Sequence, residues 1–387
     1  MRVTNEMSNR MLAKYIQQNK NACYTLQEQI SSGKKLLKPS DDPGAFDLVS
    51  RLYDSAAATK QYVVNAQRLA ENLKTTDGQL QDVAEILHRA AEITVGGGNG
   101  TQSPANLKAF GQEANQLLES VVQIANSNPQ GNYLFAGLRS DTPAYAVTRD
   151  ANGLITDVTY QGSQETRQTE IDNGVYVQDN VPGSDLTSTQ AVFQSADVDI
   201  FADLIHLRDR LLAGENIVAE QTFTADAGAD ILTVTSSYAT GSAVQLTSDD
   251  TLPGGLSADT TYYAIRISDT QIQLAASLTD ARAGIPVDLT SAGTGSQTIT
   301  QTALAENTRD LDHILQILTS IGAREERVNL TSKALLTQQV ATAQSISNEE
   351  SVDVAKAVTD LSTQKLAYEA ALRVTTIMMD TSLVYRI

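Results

Sequence analysis

Apolar residues recur in alternating steps of four and three near both ends of this chain, and in steps of two through much of its middle. From Asn9 to Ser31, Leu12, Ile16, Asn19, Cys23, Leu26 and Ile30 keep the four–three rhythm, with Asn19 the one strongly polar member. A stripe of this period predicts a helix with a heptad seam. Gly33 stands where a left-handed residue would end that helix. The chain then reads KKLLKPSDD, and Asp42 precedes Pro43. That pair has the form of an N-cap and a first-turn proline: the carboxylate accepts free backbone N–H groups and the ring presets φ.

A second helix is predicted from Pro43 to about Val95, roughly 75 Å at 1.5 Å per residue. Its seam is Tyr62, Ala66, Leu69, Leu73, Thr76, Leu80, Val83, Leu87 and Ala90. A periodic run of that length points to a rod or coiled coil rather than a globular-domain helix. Gly78 inside it costs about 1 kcal/mol relative to Ala. The run GGGNG at Gly96–Gly100 breaks the pattern, and Pro104 opens a third helix with Phe110, Ala114, Leu117, Val121 and Ile124 in register. From Tyr133 to about Asp199, LITDVTYQG and GVYVQD alternate apolar and polar residues between turn residues, which predicts short strands. DIFADLIHLRDRLLAGEN reads as an amphipathic helix ended by Gly214. From Thr222 to Gln301, Thr, Ser, Ala, Gly and Asp dominate, and ILTVTSS, TTYYAIRI and TQIQLAAS read as strands of a small sandwich. Helix returns near Thr302, with Leu304, Leu311, Ile314, Leu318, Ile321, Val328 and Leu335 on a seam interrupted by Glu325 and Ser332. A last helix is predicted from about Glu350 to Ser382, carrying Val354, Val358, Leu361, Leu366, Ala370, Leu372 and Ile377.

Composition narrows the function. The 387 residues carry a formal charge of −18, and lysine is absent from Ala109 through Ser332. Nucleic acid is excluded as a partner, because phosphate neutralisation needs clustered Lys and Arg. Aromatic residues are 5% and Trp is absent, as in elongated helical packings built from Leu, Ile, Val and Ala. The single cysteine, Cys23, allows no disulfide within the chain. The opening MRVTNEMSNRMLAKYI has no apolar core, so no cleavable secretory signal is expected. No window is apolar enough for a membrane span.

Candidate chemistry is sparse. His88, His206 and His313 each fall on a different predicted helix, without a second His or Cys at metal spacing. Cys23 sits on a seam, where a buried small hydrophobe is the simpler reading than a nucleophile. GGGNG follows a helix rather than a strand and lacks the lysine of a phosphate loop. Asp41 and Asp42 are explained by helix capping and the helix dipole. The sequons at Asn99 and Asn329 read as accidental. No catalytic site, cofactor or metal is expected.

Several stretches resemble the flagellin superfamily. QISSGKKLLKPSDDPGAFDLVSRL is similar to the bend after that family's first helix, and LHRAAEITVGGGNGT to a later segment ending in an Asn-Gly-Thr turn. GNYLFAGLRSDTPAY, with the opening MRVTNEM, resembles the hook-associated branch more than filament flagellin. SIGAREERVNL and SISNEESVDVAKAVTDLSTQKLAYEAAL resemble the returning C-terminal helices. The resemblance takes in about residues 1–215 and 303–387; 222–301 is an insertion beyond it. It implies a non-enzymatic structural protein that leaves the cell unfolded through the flagellar export channel. Its terminal helices would order on assembly at the hook–filament junction outside the cell. The implied partners are further copies of itself in a ring or helical array, hook-associated protein 1, flagellin and a flagellar export chaperone.

The expected fold is mainly α with inserted β: an elongated antiparallel coiled-coil rod formed by both termini, with β-rich projecting domains. Its segments are an N-terminal helix and bend (1–42), one half of the rod (43–140), a small β-rich domain (141–200), a helix and linker (201–221), a sandwich-like insert (222–301), the other half of the rod (302–348) and a C-terminal helix (349–387). The assembly interface is expected at Leu12, Ile16, Cys23, Leu26 and Ile30 with Val354, Val358, Leu361, Leu372 and Ile377. The bend is expected at Gly33, Pro39, Asp42 and Pro43. Filament flagellin, or a surface adhesin using 222–301, are the alternatives.

Overall fold

The computed structural model describes residues 5–98, 101–129, 131–214, 220–235, 238–258, 260–268, 270–301 and 303–384. The chain forms two compact units, Met1–Val64 with Ser332–Ile387 and Asn65–Thr331.

The first unit holds α1 (Asn5–Ser32), the start of α2 (Pro43–Gly97), the end of α6 (Ala303–Glu350) and α7 (Val354–Val384). The sequence places one break between the last two helices near residue 349; the structure carries α6 to Glu350 and starts α7 at Val354. Asp353 sets that start. Its Oδ1 accepts the Lys356 N–H at 3.1 Å, and its carbonyl accepts the Ala357 N–H at 2.8 Å.

In the second unit α2 runs on through Gly78 without a break. Ala66, Leu69, Leu73, Leu80, Val83, Leu87 and Ala90 are all buried, so the four–three spacing marks the inward face of α2 correctly. Against them lie α3 (Pro104–Ala125), α4 (Ile200–Ala213) and the first half of α6 in one apolar cluster. Leu304, expected on the α6 seam, is instead 45% exposed, whereas Ile314, Ile321, Val328 and Leu335 of that seam are buried, with Ala303 and Ile317 beside them. Glu306, near Leu304, turns inward in its place. Helix α3 begins where Ser103 Oγ accepts the Asn106 N–H at 3.2 Å. It packs closely on α4: a Cβ at Gly111 would stand 2.8 Å from the Leu212 backbone nitrogen. Asp199 caps α4, and Gly214 ends it in a left-handed conformation at φ 77°. The linker within 201–221 falls largely on residues 215–219, outside the described residues, as do Asn99 and Gly100.

Two antiparallel hairpins follow α3, β1 (Tyr145–Arg149) with β2 (Ile155–Tyr160) and β3 (Gln168–Asp172) with β4 (Val175–Gln178). The sequence reads 141–200 as its own domain. The structure joins its apolar residues to the helices: Ile155, Ile171, Val177 and Phe193 belong to the same cluster as Leu73 and Leu118. Tyr145 lies edge-on to Phe201 of α4, centroids 4.8 Å apart.

Strands β5 (Glu220–Asp226), β6 (Ile231–Thr233), β7 (Ala243–Ser248), β8 (Thr261–Arg266), β9 (Gln271–Ala275) and β10 (Gln297–Gln301) form a closed barrel in the order β10-β5-β6-β9-β8-β7, not the expected sandwich. Closure comes from β10, which pairs antiparallel with β5 on one side and β7 on the other. This leaves no sheet edge. The barrel has a core of its own, including Phe223, Leu232, Leu246, Ala264, Ile272 and Ile299. The short helix α5 (Leu278–Ala283) lies against β8 and β9.

Candidate functional site

The two ends of the chain meet in the first unit. Helices α1 and α7 pack side by side, and they run antiparallel, because Gly33 at the end of α1 meets Val352 just ahead of α7 while Asn19 reaches Gln364. On α1, Leu12, Ile16, Asn19, Cys23, Leu26 and Ile30 are all half-buried, as are Ala22 and Gln29. Asn19 has an amide partner. Gln364 Nε2 donates to Asn19 Oδ1 at 3.1 Å, a polar pair within an apolar seam of the kind that fixes helix register.

On α7 the contact stripe is not where the large apolar residues are. Ala357 is buried, and Leu361, Gln364, Tyr368, Ala371 and Thr375 are half-buried, in steps of four and three. Of the residues the sequence assigns to this interface, only Leu361 lies on that stripe. Val354 and Val358 are each 50% exposed, Leu372 40% and Ile377 63%. At 100° per residue, Val354, Val358 and Leu372 sit roughly 70° around the helix from the stripe. Ala357 and Ala371 on this stripe are small, and a pattern of large apolar residues does not mark them. Apolar residues thus face outward as well as inward on α7. They share that outward surface with exposed charges, Lys356, Asp360, Lys365, Glu369 and Arg373. Outward-facing Met11, Tyr15, Tyr24, Leu336 and Val340 on α1 and α6 extend the same apolar character.

The bend is held at four places. Gly33 takes φ 71°, and its carbonyl accepts the Val352 N–H at 3.0 Å while the Lys35 N–H donates to the Glu350 carbonyl at 2.7 Å. Lys38 to Asp41 form a tight turn, with the Asp41 N–H donating to the Lys38 carbonyl at 3.0 Å and Pro39 at the position where its fixed φ suits a turn. Asp41 Oδ2 accepts the Leu37 and Lys38 N–H groups at 3.1 and 2.9 Å. Asp42 Oδ1 accepts those of Gly44 and Ala45 at 3.1 and 3.0 Å, capping α2 over Pro43.

The residue that joins these parts is Glu350, which no spacing in the sequence marks. One carboxylate oxygen lies 2.5 Å from Lys34 Nζ, and the other accepts the Tyr53 hydroxyl at 2.6 Å. Lys34 also stands 6.0 Å above the Tyr53 ring. Burial alone would raise the Glu350 carboxyl, but hydrogen bonds from Lys34 and Tyr53 and the lysine charge hold it below its ordinary value. The hydrogen bond that each makes to Glu350 raises both Tyr53 and Lys34.

The histidines stand apart from this region. His88 is exposed on α2, His206 is half-buried on α4, and His313 is buried on α6 with Nε2 2.7 Å from the Ala191 carbonyl.

The chain matches the bacterial flagellin N-terminal helical region over residues 3–140 and the bacterial flagellin C-terminal helical region over residues 307–384. It is 27% identical over 163 residues to flagellar hook-associated protein 3 of Salmonella typhimurium, covering 42% of this chain and 51% of that protein. It is 25% identical over 146 residues to flagellar hook-associated protein 3 of Escherichia coli, covering 38% of this chain and 44% of that protein. The chain thus spans about half the length of the curated relatives it matches. A solved structure assigned to a flagellar hook-associated protein from Vibrio parahaemolyticus shares the fold at a TM-score of 0.50 and 15% identity, over 80% of this chain and 100% of that one. The two flagellin regions leave the barrel unmatched.

Proposed function

This chain belongs to the flagellin family, whose two helical regions take in more than half of it, and on that premise we propose that it is a non-enzymatic structural component of the bacterial flagellum. Its place is the junction between hook and filament, outside the cell, and it works by joining further copies of itself into a ring or helical array. The observation that carries this reading is α7: α1 covers one stripe, and Val354, Val358 and Leu372 remain exposed on another. Burial of apolar surface is the main drive for association, so those residues are the contact for neighbouring subunits. The names of the two hook-associated relatives support the junction over the filament itself.

On this reading Leu12, Ile16, Cys23, Leu26, Ile30 and Leu361 hold the two ends of one molecule together, while Val354, Val358, Leu372 and Ile377 face the next subunit. Hook-associated protein 1 and flagellin are its neighbours, and an export chaperone covers the same helices before export. Among the described residues no helix is long and apolar enough to cross a membrane. Deleting the gene tests the proposal. A junction protein, when lost, leaves flagellin secreted but unpolymerised, and this chain supplied in trans restores filaments. If the deletion instead removes the filament's main subunit, the chain is a flagellin and the junction assignment is wrong.

A further inference from the structure

Helix α5 joins two parts of the chain that lie far apart in sequence. Ser277 caps its start, where Oγ accepts the Asp280 N–H at 3.0 Å, and Gly284 ends it at φ 70°. Residues three apart share a face of a helix. Leu278 and Ala281 form one such face and are buried, and α5 packs on β8 and β9. Thr279 and Arg282 form the next face, which meets the loop ahead of α4. Thr279 Oγ1 donates to the Ala196 carbonyl at 2.9 Å. Arg282 donates through Nη1 to the Ser195 carbonyl at 2.9 Å and through Nη2 to Asp199 Oδ2 at 2.8 Å.

The loop is a firm anchor. The Ser195 N–H closes it by donating to the Val198 carbonyl at 2.8 Å. Ser195 is fully buried, and a buried carbonyl requires a donor; Arg282 supplies one. Asp199 is also held from its own side. Its Oδ1 accepts the Ala202 N–H at 3.2 Å as the cap of α4, and the Gln194 amide lies 3.3 Å from both carboxylate oxygens. The Arg282 and Asp199 side chains are 24% and 14% exposed, so this pair is largely shielded from the screening that weakens surface ion pairs. A guanidinium holding two acceptors at once sets direction as well as distance. The other contacts between barrel and helices lie along α6 and its junction with β10. Arg210 Nη1 donates to Gln301 Oε1 at 2.7 Å, Glu306 Oε1 accepts the Ala243 N–H of β7 at 2.6 Å, and Arg309 Nη1 donates to the Tyr263 hydroxyl of β8 at 3.1 Å. Holds strung along one helix leave the barrel free to rock about it. The α5 contact reaches a different element, 83 positions back in the chain, and closes that freedom.

We propose that α5 is a strap that holds the barrel in one orientation on the helices, so that the insertion moves with them as one body. The test uses the full chain with Cys23→Ser, carrying spin labels at Thr224→Cys on β5 and Thr319→Cys on α6, both exposed positions. The distance distribution between the labels is expected to be a single narrow peak. Thr279→Val with Arg282→Gln removes the hydroxyl and the guanidinium fork while roughly keeping side-chain size. In that variant the narrow peak should be lost to a broad distribution, while the amides of β7 and β10 keep their native exchange protection. A broad distribution with the strap intact, or an equally narrow one in the variant, overturns the proposal. Loss of protection in β7 and β10 overturns it too, because α5 would then serve the folding of the barrel rather than its placement.

Discussion

Lys34 and Glu350 stand 2.5 Å apart across the bend, 316 positions from each other in the chain. Their contact ties the segment after α1 to the joint between α6 and α7, and the Tyr53 hydroxyl on the second carboxylate oxygen adds α2 to the same point. Lys34 is about half-exposed, so the ion pair alone contributes modestly, about 0.2–1 kcal/mol.

Glu350→Gln should therefore destabilise the first unit by about 1 kcal/mol, most of it through the weakened Tyr53 hydrogen bond. The pH dependence has a definite sign. Glu350 is lowered in the folded chain, so its contribution is fully present above the ordinary value of 4.5 and is lost as pH falls through the folded value. Protection of the Lys35 and Val352 amides, which bond across the joint, taken relative to the intrinsic exchange rate at each pH, should fall in the native protein as acid carries Glu350 below its lowered folded value. It should do so less in the variant.

The α2 start rests on Asp42. Asp42→Ala leaves the Gly44 and Ala45 amides without their acceptor, at a cost of about 1 kcal/mol. Asp42→Ser retains a capping oxygen and should recover most of it. Denaturant midpoints of the full chain check both, and equal losses for Ala and Ser would contradict the cap.

The α3–α4 contact is set by Gly111. A methyl group there meets both the Leu212 backbone and its side chain at 2.8–3.0 Å, so Gly111→Ala should cost about 1–3 kcal/mol by overpacking, despite its better helix propensity. Gly78→Ala, where nothing lies within 4 Å, should instead stabilise by about 0.5–1 kcal/mol. The pair of melting curves separates a packing glycine from an incidental one.

The sequence is a good guide where large apolar residues and structural position coincide. Leu69, Leu73, Leu80, Val83 and Leu87 are large, evenly spaced and buried, so α2 is legible from spacing alone. On α7 the two separate: Ala357 and Ala371 face α1 while Val354 and Val358 face outward, and periodicity weighted by size selects the outward side. In the barrel, alternation identifies strands but holds no information on partners. Closure depends on β10 reaching both β5 and β7, the latter about 50 positions earlier. Glu350 and Glu306 were invisible for the same reason, since each acts on groups far away in the chain.

The central claim is that the outward apolar face of α7 joins subunits while the inward stripe joins α1 to α7. The most direct measurement compares Val358→Asp with Leu361→Asp in cells lacking their own copy of the gene, scoring filament growth, with the melting of each purified chain alongside. Val358→Asp should leave the isolated chain as stable as the native one, within about 0.5 kcal/mol, yet restore no filaments; Leu361→Asp should lower the stability of the isolated chain itself. Normal filaments from Val358→Asp would contradict the account.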